Sequence, residues 1–240
     1  VESLKKTKPG DVPKAMSVQD QKVTGDWHVH IRGGIRNKGP VVPRGFLQVA
    51  SRRQADAQAN IKAGSGRLEM AEWIASEENP LTRRVMVNRI WHHLMGQGIV
   101  RTTDNFGVMG EEPSHPELLD WLAGQFARDN WSVKKMIRHI VLSRTYRLTS
   151  VCEGDGYQED LENRLLWRAN RKRLTAEAIR DSILAISGQL NDQQGGYTIQ
   201  KFSQYDWGYE FNTVRRSIYV PLFRNTLMDV FETFDVANPN

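Results

Sequence analysis

Polar side chains recur at four-residue spacing near the middle of the chain, and together they could bind an anion. The first set is Arg84, Asn88 and His92, and a second pair is formed by Arg89 and His93. Residues four apart lie on one face of an α-helix. Arginine supplies forked donors, and histidine adds a donor or a proton. The spacing therefore predicts an anion or ligand site, although the same groups could instead hold the helix within a bundle.

The segment after this helix could also bind a ligand. Arg101–Pro113 reads RTTDNFGVMGEEP and carries Arg101 and Asp104 between two predicted helices. Loops that hold specific polar residues on a rigid scaffold often bind ligands. A structural alternative stays open, because Gly107 and Gly110 supply the backbone conformations that a compact turn needs.

Two further arginines lie in basic stretches that could face an anionic partner. Arg144 follows an amphipathic helix, and Arg173 ends the run RANRKR at 168–173. These cations could bind an anionic polysaccharide or pair with acids of the same chain. Recognition of a nucleic acid would favour a basic face with exposed aromatic residues for stacking. It is disfavoured because we expect three tryptophans to lie on helix core faces: Trp91, Trp121 and Trp167.

The histidines do not form a convincing metal site. His92 and His93 are adjacent, so they point about 100° apart on a helix, and no H-E-x-x-H motif or histidine pair at four-residue spacing occurs. His115 lies within the sequence S-H-P-E, which is a helix-capping pattern. We therefore predict no metal site, and the absence of G-x-S-x-G leaves the catalytic residues unknown.

The single cysteine limits the cofactors of the chain. Cys152 is followed by Glu153, so the C-x-x-C-H motif that attaches c-type haem is absent. We therefore expect no covalently attached haem and no other cofactor in this chain.

Composition describes an ordinary globular chain with a cationic excess. It has 240 residues, 39% of them hydrophobic and 25% charged, and a net charge of +5. Such an excess can steer anionic partners. No apolar stretch reaches the length of about 18 residues that a membrane-spanning helix needs, so we expect no membrane span.

Helix signals dominate the middle of the sequence. We predict helices over 67–75, from Pro80 to about Met95, from a capping box at Ser114, and after Ser132. Two more are predicted over 160–168 and from Thr175 to near Gly188. Residues 27–31 and 216–223 resemble strands. The fold class is therefore mainly α, a multi-helix bundle-like body with a small β-sheet that pairs the N-terminal and C-terminal strands.

Three regions follow along the chain. Residues 1–50 are predicted to be an extended lead-in with a strand and a Gly/Pro turn. Residues 51–190 form the helical body, and 191–240 add a loop and a strand-like segment that complete the same domain.

Ordered motifs along most of the chain resemble the planctomycete-specific domain one, a domain of unknown function. They begin with RLEMAEWIASEENPLTRRVMVNRIWHH and include SVKKMIRHIVLSRTYRLTS. The resemblance also extends upstream into HIRGGIRNKGPVVPRG, where Arg44 stands at a position that is more usually proline. The matching segments are 30–45, 67–150, 163–181, 215–220 and 234–240.

The resemblance implies a setting rather than a reaction. Members are exported, multidomain proteins that often carry a planctomycete-type cytochrome c module, and they usually continue past the point where this chain ends. The resemblance therefore implies a periplasmic or cell-envelope location, and partners among the flanking domains of the same protein. We expect a binding or interaction module, and the alternative is a carbohydrate-active enzyme domain with an Arg/Asn/His cleft.

Overall fold

Helices provide most of the regular structure, as the sequence predicts. The computed structural model describes residues 16–50, 61, 64–151, 153, 155–201, 209–223 and 226–237. Cys152 lies outside this part of the chain. The described helices are α1 (Arg67–Ala75), α2 (Pro80–Met95), α3 (Pro116–Arg128), α4 (Val133–Val141), α5 (Gly156–Glu159), α6 (Ala176–Ile186) and α7 (Asp229–Thr233). The chain separates into two compact units, Val1–Asn170 and Arg171–Asn240.

Polar side chains cap the N-termini of three helices at the positions that the sequence predicts. The Asn79 side chain accepts hydrogen bonds from the Leu81 and Thr82 amides at the start of α2. Ser132 caps α4 and Thr175 caps α6 in the same way, each through its hydroxyl. Such caps satisfy amides that have no partner within the helix. The corresponding helix predictions are confirmed.

The start of α3 differs from the predicted capping box. The helix begins at Pro116, and its N-cap is His115, whose side chain makes no capping bond. Ser114 instead donates its hydroxyl to the Ile99 carbonyl, 3.3 Å away. Because His115 is the N-cap and Ser114 has no described bond to an α3 amide, the capping-box prediction is wrong, although a helix does follow.

The predicted helix over 160–168 is also wrong. Asp160 accepts hydrogen bonds from the Arg164 and Leu165 amides through its two carboxylate oxygens, each at 2.8 Å. Asn163 has a positive φ of 55°. Its side chain bonds to both main-chain groups of Arg168. Short polar side chains that bond to nearby backbone compete with a helix, so turns replace it here.

The strands pair locally rather than across the chain. In the first unit, β1 (Trp27–His30) pairs with β2 (Lys38–Val42) in an antiparallel hairpin. In the second unit, β3 (Gln200–Lys201) pairs with β4 (Tyr209–Glu210). The predicted strand at 216–223 is instead a short 3-10 turn over Ser217–Tyr219 with loop on either side. The small β content is confirmed, but the predicted pairing of the first strand with the last is wrong.

A three-helix core organises the first unit. Helices α2, α3 and α4 pack against one another, and Val87 and Met136 at their centre are 0% exposed. Trp91 belongs to this core, as predicted, and Trp167 is half-buried. The core prediction for Trp121 is wrong, because it is 54% exposed on the outer face of α3.

Candidate anion-binding surface

Arg84, Asn88 and His92, which we call the α2 ridge, were predicted to face a ligand, but the middle residue of the three is buried inside the protein. Asn88 is 0% exposed. Its amide nitrogen donates to the Val100 carbonyl, and its amide oxygen accepts from the Val100 amide, both at 2.9 Å. Both polar atoms therefore fix the segment after α2, where Ile99 and Val100 enter the core. In this structure Asn88 has no surface to offer a ligand.

The first residue of the ridge joins two helices. Arg84 Nε on α2 donates to Asp120 Oδ1 on α3 at 2.6 Å. That bond lowers the pKa of Asp120 and raises the pKa of Arg84 from their ordinary values. His92, the last member, is half-buried, and its ring meets His93 edge to face with centroids 5.7 Å apart. The ridge is therefore interrupted by a buried amide and begins with an ion pair.

Ion pairs also hold the predicted ligand loop at three points. Asp104 accepts from Arg89 at 2.8 Å. Arg101 donates to the Glu162 carboxylate at 2.6 Å and to its carbonyl at 3.2 Å. Across the loop, Arg164 lies 3.7 Å from Glu111. The two candidate residues Arg101 and Asp104 thus have carboxylate and guanidinium partners, respectively, from this chain.

Hydrogen bonds within the loop also fix its conformation. Thr102 donates its hydroxyl to the Asn105 carbonyl and accepts from the Glu111 amide. A side chain at Gly110 would place its Cβ 2.1 Å from the Asn105 carbonyl oxygen. This close approach explains the glycine in structural terms.

The cations of α4 and the turn that follows contrast with these paired arginines. Between Asn130 and Val151 the sequence has five Lys or Arg residues and no Asp or Glu. Lys134 and Arg138 are one turn apart on α4 and are exposed. The exposed candidate Arg144 follows in the turn. Within the described residues, the side chains of these three make no ion pair or hydrogen bond. We call Lys134, Arg138 and Arg144 the α4 cationic surface.

One acid lies beside this surface and is already occupied. Asp129 accepts from Gln125 at 2.9 Å. His139 Nε2 lies 3.0 Å and Lys135 Nζ 3.5 Å from the same carboxylate. The Gln125 bond, followed by the His139 bond, lowers the pKa of Asp129 from its ordinary value. Asp129 therefore pairs with Lys135 and His139 of α4, and no described contact joins it to the α4 cationic surface.

The last predicted candidate lies in the second unit. Arg173 Nη1 is 2.7 Å from Asp235 Oδ2, and both side chains are more than half exposed. Exposed pairs of this kind contribute little stability, so Arg173 can exchange this partner for another anion.

Sequence reasoning missed a buried network in the second unit. Arg180 is 6% exposed. It donates to the Arg215 carbonyl, the Ser217 hydroxyl and the Thr213 carbonyl. The neighbouring Asp181 accepts from the Ser217 amide and hydroxyl. The sequence signal was the pair of motifs AIRD and RRSIYV: Arg180 and Asp181 of the first bond to the Arg215 carbonyl and to Ser217 of the second.

The described part of the chain contains no group of three or more His, Cys, Asp or Glu side chains placed to hold a metal. Among the same residues, no helix is both long and apolar enough to cross a membrane.

Comparison with protein families identifies the helical region. A family model described as PSD1, a protein of unknown function (DUF1553), matches residues 66–240. The chain belongs to this family. The DUF1553 match begins just before α1 and includes all seven described helices, whereas the β1–β2 hairpin precedes it. The resemblance to a domain of unknown function is thereby confirmed. No curated protein and no solved structure matches the chain.

Proposed function

We propose that this DUF1553 chain is a binding module for an anionic polysaccharide, and that the α4 cationic surface makes the contact. The observation that carries the proposal is the contrast between Arg84, which is paired, and Lys134, Arg138 and Arg144, which are exposed and without a described partner. Unpaired cations attract polyanions over long range and release bound counterions on contact.

The composition of the surface favours a polysaccharide over a nucleic acid. Single-stranded nucleic acids bind through aromatic side chains on which bases stack. Within 130–151 the aromatic residues are Trp131, half-buried against Phe126, and Tyr146, 37% exposed. A surface rich in charge and poor in exposed aromatic rings suits sulfate or carboxylate groups along a glycan.

The geometry gives less support to an enzyme. A carbohydrate-active cleft was predicted around Arg84, Asn88 and His92, but the Asn88 side chain is sealed and bonded to Val100. Within the α2 ridge, Arg84 joins two helices and Asn88 fixes the segment after α2. Binding is therefore the function that we propose.

The test compares dextran sulfate with neutral dextran. We expect binding to dextran sulfate that weakens as salt rises, and no binding to dextran. Exchange of the two α4 members of this surface, Lys134→Gln with Arg138→Gln, should lower the magnitude of the slope of log K against log salt by about 1 to 2, since each lost contact removes the release of about one counterion.

The control removes the same charge elsewhere. Lys22→Gln with Arg36→Gln alters two exposed cations outside the α4 cationic surface. Equal weakening by both double variants would mean that net charge alone attracts the glycan, and the proposal would fail. Tighter binding to single-stranded DNA than to dextran sulfate would also overturn it.

We further propose that the module works in the periplasm or cell envelope of a planctomycete-type bacterium, beside flanking domains of the same protein that can include a haem-bearing cytochrome. The family resemblance of the motifs supports this setting. Fractionation of cells that express the protein from its own gene tests it, and recovery of the protein with cytoplasmic markers would contradict it.

A further inference from the structure

The second unit contains a cleft that the polysaccharide proposal does not use. The cleft has a volume of about 670 Å³ and lies between α6, α7 and the segment that follows β4. This volume is within the range of small-molecule sites, roughly 300 to 1,000 Å³. The geometry points to a binding site for an amphipathic organic cation, a molecule with an apolar body and an ammonium or similar group. We call it the α6–α7 cleft.

Apolar side chains form much of its lining. Ile183 and Leu184 contribute from α6, Met228 and Val230 from the start of α7, and Phe211 from the intervening segment. Ile183 is 54% exposed. An apolar ligand body that covers these side chains would remove them from water, which is the main source of affinity in such sites.

The charges of the cleft favour a cation. Arg180 lies in the lining, but its guanidinium is turned to protein acceptors, the Arg215 and Thr213 carbonyls and the Ser217 hydroxyl. Asp181 lies 3.6 Å from it and balances its charge. Among the described residues of the lining, Glu210 and Asp229 are then the remaining charged groups, and both are exposed.

One of these carboxylates is held in place. Asn212, which also lines the cleft, donates to Glu210 Oε2 at 2.8 Å. A carboxylate that is oriented before binding loses less freedom when it accepts a hydrogen bond from an ammonium group. An anionic ligand would meet Glu210 and Asp229, while three of the five Arg180 donors are already engaged with protein acceptors, so the cleft disfavours it.

The probe for the test is 2-phenylethylammonium, with 2-phenylethanol as its neutral analogue and phenylacetate as its anionic analogue. Titration of the full chain, followed by chemical shifts or calorimetry, should show saturable binding of the ammonium. We expect the alcohol to bind about tenfold more weakly, because it lacks the charge-assisted hydrogen bond. Phenylacetate should bind more weakly still.

Charge-neutral variants locate the site. Glu210→Gln and Asp229→Asn should each weaken binding of the ammonium by about tenfold. They should leave the alcohol unchanged, because the apolar walls are intact. Asp192→Asn is the matched control, since Asp192 is an exposed acid of the same unit outside the cleft lining.

Three results would overturn the inference. These are no saturable binding of the ammonium, equal affinity for the ammonium and the alcohol, or equal weakening by the Asp192→Asn control. None of them bears on dextran sulfate binding, because that test alters cations of the other unit.

Discussion

Asn88 and Val100 form a closed pair in which one buried side-chain amide bonds to both main-chain groups of the other residue, at 2.9 Å each. The pair determines how the chain leaves α2. It also explains why a residue expected to face a ligand faces the core instead.

Replacement of this amide should strongly destabilise the first unit. Asn88→Ala leaves a buried amide and a buried carbonyl of Val100 without partners, so we expect the free energy of unfolding to fall by about 2 to 4 kcal/mol. Urea denaturation measures it. The exposed Asn37 is the control, and its replacement by Ala should change the free energy by less than about 0.5 kcal/mol. A similar effect of both substitutions would contradict the structural role of Asn88.

The link between α2 and α3 should give a small acid-dependent loss of stability. The hydrogen bond from Arg84 lowers the pKa of Asp120 below its ordinary value of 3.8. The folded state therefore gains stability above the unfolded pKa and loses it as the pH falls through the folded pKa. Because the Asp120 side chain is 56% exposed, solvent limits the gain to under about 1 kcal/mol.

Urea unfolding between about pH 5 and about pH 3 tests this link. Asp120→Asn should lose less stability over that range than the unchanged chain. Asp155→Asn, at an exposed acid without a described side-chain partner, should follow the unchanged chain. Parallel curves for all three proteins would show that the Arg84–Asp120 bond contributes nothing.

The turn at Asp160 should depend on its carboxylate. Asp160→Ala removes the acceptor of the Arg164 and Leu165 amides, and we expect it to destabilise the turn, as loss of a side-chain cap destabilises the start of a helix. Hydrogen exchange at those two amides measures it, and both should exchange faster. Asp160→Asn keeps one side-chain oxygen as an acceptor. Its exchange rates should therefore lie between those of the unchanged chain and those of the Ala variant. Unchanged exchange in the Ala variant would count against the proposed turn.

In the second unit, Arg180 should be hard to replace. Arg180→Met leaves two buried acceptors and one half-buried acceptor without this donor, and we expect a loss of about 3 kcal/mol. Arg180→Lys should recover only part of it, because one ammonium cannot reproduce the fork of a guanidinium. Hydrogen exchange in α6 measures the loss, with the exposed Arg216→Met as control. Protection in α6 that survives Arg180→Met would refute the role of this network.

The sequence was informative where a local side chain determines the local structure. Asn79, Ser132 and Thr175 each bond to amides two or three residues ahead, so the starts of α2, α4 and α6 could be predicted. Ser114 has the same type of side chain, but its hydroxyl donates to the carbonyl of Ile99, which belongs to an earlier segment. A residue that far away cannot be read from a capping pattern.

The candidate site was harder to predict. Helical spacing shows which residues share a face of a helix, but it does not show which other segments of the chain pack against that face. Arg84, Asn88 and His92 do share a helix, yet the burial of Asn88 depends on where Val100 returns. The core prediction for Trp121 was wrong for the same reason, since its neighbours on α3 face α2 and α4 while Trp121 faces outward. For Arg144, the sequence could show a basic residue after an amphipathic helix but not that its side chain has no partner among the residues that the structure describes.

The loop at 101–113 combines two kinds of restraint that respond differently to salt. Its outer attachments are ion pairs whose carboxylates, on Asp104, Glu111 and Glu162, are about half exposed or more, and salt screens exposed pairs. Its internal hydrogen bonds through Thr102 join neutral groups and are not screened. At high salt the loop should keep its own conformation while its attachment to α2 and to the turn at 160–168 weakens.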